Sequence, residues 1–284
     1  MKVIVPMAGL GQRFVDVGYE NPKPLIEVAE KPIIDRIVDM FDSKDFLIFI
    51  CNERHLEETE IREYLYDIHP NSLVVSVPEH NEGPVFTTLP YMDIIEDDEP
   101  VIVTYCDNPY IWNYKEFKKW TKESEVDGCI LTHSGFHPHR LASTYMAYCK
   151  TKKDGSLIEI KEKEPYTDNH MEEHASTGTY YFKKGSYIKK YFQDAIDNKI
   201  KHSNGEYYVT LVYNLLLKDK LDKNNTYFEE RSKRAKIVKK RSNFNFFVFH
   251  FSSSVMQKSR NIFLKFLVKR KTFIQSCLGK IYKN

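Results

Sequence analysis

The chain has 284 residues, 42% hydrophobic and 14% aromatic, enough to bury one substantial core, so one large α/β domain fits better than two small ones. Five cysteines without C-x-x-C spacing (Cys51, Cys106, Cys129, Cys149, Cys277) and an N-terminus that opens on an apolar strand point to a cytoplasmic protein without a signal peptide, and no apolar run reaches the roughly 20 residues of a spanning helix. The net charge of +2 hides an asymmetry: Arg231 to Asn284 holds fifteen Lys and Arg and no Asp or Glu, leaving 27 basic against 40 acidic residues before it.

The first predicted strand, Val3 to Val5, empties into a loop built on Gly9 and Gly11. Arg13 follows, and Lys23 stands between Pro22 and Pro24. Glycines let the backbone pass close to a ligand and offer bare N–H groups to anionic oxygens. Two cations on a stiffened loop then neutralise a polyphosphate. A dinucleotide fingerprint would need a third glycine where this chain has Phe14, and no Walker A sequence is present. The plainer alternative is a strand-to-helix turn whose glycines serve geometry alone; Arg13 and Pro22-Lys23-Pro24 count against it.

Further strands are predicted at 46–50, 73–77, 101–104 and 129–132, with helices near 33–41, 53–66, 84–95 and 114–122 between them. This alternation means βαβ units and a mostly parallel sheet flanked by helices, whose ligands collect at the carboxyl ends of the strands. Asp107 follows the strand 101–104, so it shares a rim with the glycine loop. Its position fits a Mg²⁺ ligand and equally the start of a turn, since Asn108-Pro109 comes next. Past Gly135 the pattern changes to longer strands with polar alternation at 145–150, 157–161 and 177–182, a mixed extension of the sheet, then helices near 186–198 and 208–218. No internal repeat and no low-complexity linker interrupts residues 1–222.

The string A-G-x-G-x-R-F followed by P-K-P-L-I resembles the nucleotidyltransferases (pyrophosphorylases) that activate sugar phosphates, and more closely a branch found in bacterial capsule and surface-polysaccharide biosynthesis. The resemblance continues in family order over roughly residues 1–222, through Glu82-Gly83-Pro84, Val103 to Asp107, Gly135 to His139, Glu162 to Pro165, Ser176 to Phe182 and Gly205 to Val209. Gln12 departs from it, standing where relatives carry a small hydroxyl residue.

The resemblance implies a GT-A/Rossmann-like domain that uses Mg²⁺, held by Asp107. Its partners would be an NTP (CTP or another) and a phosphorylated small-molecule acceptor, with no nucleic acid. It places the nucleotide on Ala8, Gly9, Gly11, Arg13, Lys23 and Gly83, with Lys23 near the α-phosphate and Gly83 beside the base. Lys163 reaches the acceptor phosphate, Glu162 orients the acceptor, Thr177 and Gly178 line its pocket, and Glu206 holds its hydroxyl or amino groups. Plainer readings stand beside these: Gly83-Pro84 also suits a helix start, and Lys161 to Glu164 also suits a solvated edge strand. His133, His137, His139, His170 and His174 raise a zinc reading, but no cysteine or carboxylate set supports it, and Phe136 to His139 reads as an acceptor-side loop. A cytidylyltransferase for phosphocholine or phosphoglutamine, a glycosyltransferase on the same sheet, and a nucleotide-binding protein that has lost activity are the alternatives. Arg13 and Pro22-Lys23-Pro24 count against glycosyltransfer.

Relatives continue after the last helix into a short strand and an aromatic-Gly-Thr-Pro-acidic ending. That ending is absent here, and residues 223–284 read as a divergent basic tail dominated by Lys, Asn, Phe, Ile and Ser. Three origins fit: a frameshift, since the codons of Asp and Glu begin with G and those of the tail are rich in A and T; a basic amphipathic stretch, Ile262 to Phe273, for an anionic membrane surface; or a basic partner-binding or nucleic-acid-binding segment. The other two reading frames downstream of codon 222 decide the first.

Overall fold

The computed structural model describes residues 1–222, except 125, 136–139 and 141–142, together with the strand 235–239. The loop Phe136 to His139 and the amphipathic stretch Ile262 to Phe273 lie outside the described residues.

A parallel core is built from β1 (Lys2–Met7), β2 (Phe46–Asn52), β3 (Ser72–Val77) and β4 (Val101–Thr104), each paired in parallel in the order β3-β2-β1-β4. Beyond β4 the sheet turns mixed. The strand β8 (His174–Phe182) runs antiparallel between β4 and β5 (Gly128–His133), and β6 (Ala147–Thr151) pairs with β8 and with β7 (Leu157–Glu162). The strand β9 (Ala235–Lys239) lies parallel to β5, so the sheet takes in part of the segment read as a tail.

Period-two alternation sends successive side chains of each strand to opposite faces. On β1, Ile4 joins a core cluster with Ile188, Phe192 and Leu216, which lie on α7 (Gly185–Asp197) and α8 (Val209–Asp222). Its neighbours Val3 and Val5 join the opposite cluster with Ile34 and Ile37 of α2 (Ile33–Val38), Leu65 of α4 (Ile61–Ile68) and Phe117 of α6 (Tyr114–Ser124). Helices on both faces explain why the parallel strands read as unbroken apolar runs. Among the described residues no helix is long and apolar enough to cross a membrane.

Three expectations change. The helix expected at 53–66 breaks into α3 (Glu53–Glu58) and α4, because Thr59 is extended and its hydroxyl donates to the carbonyl of His55 at 2.6 Å. The helix expected at 84–95 stops as α5 (Pro84–Thr88) and continues as a 3₁₀ stretch, Leu89–Ile94, with Pro90 in its first turn. The strand expected at 177–182 starts at His174 and shows no polar alternation: Ala175 to Phe182 are all buried. Its polar side chains are paired inside the sheet, as in the Thr104–Thr179 hydroxyl contact of 2.9 Å and the Ser176–Tyr180 contact of 3.0 Å.

Candidate active site

The carboxyl ends of β1 and β4 lie side by side, and the start of β8 and the end of β7 reach the same rim. On the β1 side the loop is tied at its root by fully buried Asn52, whose amide donates to the carbonyl of Ala8 at 3.2 Å. Gly9 is exposed, and a Cβ there would meet nothing within 4 Å, so this backbone is open to a ligand. Gly11 has φ 64, the left-handed conformation that favours glycine, and caps the short α1 (Gln12–Val15). Phe14 anchors α1 in a small cluster with Ile26, Val28 and Ile33, which leaves Arg13 exposed on the rim.

Lys23 opens a 3₁₀ turn, Lys23–Leu25, pinned by Pro22 and buried Pro24. Its ammonium forms an ion pair with the Asp107 carboxylate and lies 5.7 Å from the centroid of the Phe14 ring. Asp107 is bracketed by anchored neighbours: Tyr105 N–H donates to the Gly178 carbonyl at 2.9 Å, and the buried Asn108 amide donates to the Thr177 carbonyl at 2.7 Å. Burial, then the charge of Asp107, pushes the Cys106 thiol up to about 12, so this neighbour stays neutral.

A cavity of about 460 Å³ opens at this rim, and Arg13, Asp107, Glu162, Lys163, Gly178 and Glu206 all line it. Lys23 and Gly11 instead line an adjoining space of about 60 Å³, together with Arg54 and His55. The Thr177 side chain turns away, its hydroxyl donating to the Leu131 carbonyl at 3.1 Å, and Ser176 takes its place on the cavity wall. Gly83 is not among the residues lining either space; its φ is 87, and a Cβ there would stand 2.9 Å from the Tyr207 carbonyl oxygen and 3.0 Å from Cβ of Glu206. The bare backbone of Gly83 is thus in contact with the segment that carries Glu206. Ring nitrogens of His170 and His174 lie 2.7 Å from the Arg140 carbonyl oxygen and 3.4 Å from the Thr132 hydroxyl, respectively.

A family model described as "Nucleotidyl transferase" matches residues 2–223. The chain belongs to the nucleotidyl transferase family. No curated protein sequence matches it. Its fold is similar to the nucleoside-diphosphate-sugar pyrophosphorylase of Vibrio cholerae, with a TM-score of 0.59 at 17% identity over 84% of this chain and 92% of that one. It is also similar to a Bacillus anthracis protein assigned as a glucose-1-phosphate thymidylyltransferase, in complex with sucrose, with a TM-score of 0.61 at 16% identity over 85% and 87%. A UDP-glucose pyrophosphorylase complexed with UDP-glucose gives 0.57 at 16% over 77% and 87%.

In this member of the nucleotidyl transferase family, the far side of the cavity joins the expected Lys163 and Glu206 to two residues not expected from the sequence, Tyr208 and Asn204. Lys163 has φ 60, a left-handed conformation uncommon outside glycine, and its backbone N–H donates to the Met146 carbonyl at 3.0 Å. Its ammonium donates to the Tyr208 hydroxyl at 2.5 Å and stands 4.6 Å from the centroid of that ring. The Asn204 amide lies 2.9 Å from both the Tyr208 hydroxyl and Glu206 Oε1. Tyr208 sits in the string Gly205 to Val209 that carries Glu206, and Asn204 immediately precedes it, so an aromatic and an amide beside a candidate acidic residue were the available signal.

Glu162 is buried behind Lys163, its Oε2 accepting from the Thr210 hydroxyl at 2.7 Å. Burial pushes its carboxyl up to about 7, against the opposing effects of Thr210 and Lys163, with Glu206 adding to the rise. The folded state therefore holds this proton while the unfolded chain releases it near 4.5, so stability falls as pH rises from about 4.5 through about 7. Glu162→Gln cannot titrate and lacks this contribution. Its stability relative to wild type should rise by on the order of 2–3 kcal/mol between pH 4.5 and 8, measured by urea unfolding. Parallel stability curves for the two proteins would refute the elevated carboxyl.

Proposed function

We propose that this protein transfers a nucleotidyl group from an NTP to a phosphorylated small molecule, releasing pyrophosphate. The product would be an activated precursor for capsule or surface polysaccharide, made in the cytoplasm. The observation that carries the reading is one cavity lined both by the donor-side residues Arg13 and Asp107 and by the acceptor-side residues Glu162, Lys163 and Glu206.

An oxygen of the acceptor phosphate attacks the α-phosphorus in line; the bond from that phosphorus to the bridging oxygen breaks, and pyrophosphate leaves with the electron pair. A phosphate monoester is largely dianionic at neutral pH, so the attacking oxygen needs no general base. The work of the protein is then positioning and charge. Ala8, Gly9 and Gly11 present backbone to the nucleotide, Arg13 and Lys23 bind the triphosphate oxygens, and Gly83 borders the base. Lys163 binds the acceptor phosphate, Glu162 and Glu206 orient its polar groups, and Ser176 and Gly178 complete that wall, with Thr177 holding the strand behind it.

Among the described residues no group of three or more His, Cys, Asp and Glu is placed to hold a metal, and Asp107 would hold Mg²⁺ through its carboxylate. That donor set fits an ion which takes one or two carboxylates and completes its shell with phosphate and water oxygens. When bound, Mg²⁺ offsets charge on the α-phosphate and the leaving pyrophosphate.

A second reading has a specific observation behind it. Tyr105, Tyr145, Tyr180 and Tyr208 line the same cavity as Glu162 and Glu206, and aromatic faces beside carboxylates suit a cationic acceptor such as phosphocholine, with CTP as donor. A pyrophosphate-release assay crossing four NTPs with sugar phosphates, phosphocholine and phosphoglutamine separates the two. A sugar phosphate giving the highest turnover supports the first reading, and phosphocholine the second. No turnover with any pair overturns both in favour of a nucleotide-binding protein without activity.

A further inference from the structure

Lys23 and Asp107 are the groups through which the proposed site would hold a triphosphate and a metal, and in this structure they hold each other. The Lys23 ammonium donates to Oδ2 of Asp107 across 84 residues of sequence. Each end is fixed by its own surroundings, Lys23 between two prolines and Asp107 between the anchored Tyr105 and Asn108. The side chains are only 20% and 22% exposed, so solvent screens this pair less than it screens a surface contact. A divalent ion approaching alone meets a neutralised carboxylate and an ammonium at contact distance.

We infer that Lys23 is an internal stand-in cation: it occupies Asp107 until a triphosphate draws it off, so that the divalent ion binds with the nucleotide and not before it. This rests on the nucleotidyl-transfer reading of the site. A lysine suits the part. Its ammonium is a point charge on a flexible four-carbon stem, with no fork that would fix it to one carboxylate. Triphosphate oxygens beside the Gly9–Gly11 loop offer it a stronger partner, and its departure exposes the carboxylate when metal is needed. Because coupling between two ligands is reciprocal, the nucleotide would raise metal affinity by the factor by which metal raises nucleotide affinity. Removing Lys23 would break that coupling from the metal side, since Asp107 would then be available without nucleotide.

The test is Mn²⁺ binding to the full-length protein without nucleotide, followed by the electron paramagnetic resonance signal of free Mn²⁺. Lys23→Met removes the charge at similar length and should bind Mn²⁺ about tenfold more tightly than wild type. Lys23→Arg keeps the charge and should bind no more tightly than wild type, and Lys23→Gln serves as a second neutral variant should the methionine variant not fold. Asp107→Asn should remove the tight binding when combined with either neutral substitution. Equal Mn²⁺ affinity in wild type and the neutral variants, with binding still lost in Asp107→Asn, overturns the stand-in role and leaves the metal site standing. Tight binding that survives Asp107→Asn overturns the metal site itself, and the stand-in role with it.

Discussion

Asp107→Asn should lower pyrophosphate release roughly a thousandfold or more while leaving the fold intact. The substitution keeps size and shape but removes the donor-side carboxylate of a cavity whose other lining carboxylates, Glu162 and Glu206, are assigned to the acceptor. Its stability cost should be modest, on the order of 1 kcal/mol, because the asparagine amide oxygen can still accept from the Lys23 ammonium in the same place. A large loss of turnover with a melting temperature within a few degrees of wild type is therefore the expected pair of results. Turnover within tenfold of wild type would remove Asp107 from the chemistry.

Gly83→Ala should have the largest effect on stability among substitutions at the site. Its φ of 87 is unfavourable for any residue with a Cβ, and the added methyl would stand 2.9 Å from a backbone oxygen of Tyr207. That contact is not the far end of a flexible side chain. Tyr207 N–H donates to the Glu82 carbonyl at 2.8 Å, and Val85 N–H donates to the Tyr207 carbonyl at 3.2 Å, so the two segments are laced together. Conformational strain and overpacking together predict a loss of about 2–5 kcal/mol, a drop in melting temperature on the order of 10 °C. Gly18→Ala is the control: φ is 91 there, but a Cβ would meet nothing within 4 Å. It should cost only the conformational part, about 1–2 kcal/mol. Equal losses at the two positions would show that the close approach to Tyr207 carries no weight.

The parallel half of the fold was legible because its strands are buried on both faces. Runs such as Phe46 to Ile50 then contain almost nothing but apolar residues. The length of β8 was not, because Ser176, Thr177 and Thr179 look like solvent-facing letters while their hydroxyls are paired within the sheet. The break at Thr59 was hidden for a related reason, since a side chain that bonds its own backbone leaves no mark on apolar periodicity.

At the site, the glycine loop announced itself through local composition, and Asp107 through its place after a strand. Their meeting through Lys23 is a tertiary event across 84 residues that no local pattern encodes. The left-handed backbone of Lys163 was equally silent. It is a conformation forced on an ordinary residue where β7 ends, with Tyr208 brought against it from α8's amino end.

Nucleotidyl transfer in this cavity would join an NTP to a phosphorylated acceptor at the α-phosphorus. The fate of an α-phosphorus label tests it most directly, with the NTP and acceptor that give the highest turnover in the pyrophosphate-release panel. The label should enter a product in which the α-phosphorus is bridged to the acceptor phosphate, while the released pyrophosphate is unlabelled. Label found only in unchanged NTP, or in a nucleoside diphosphate released without transfer, would contradict it.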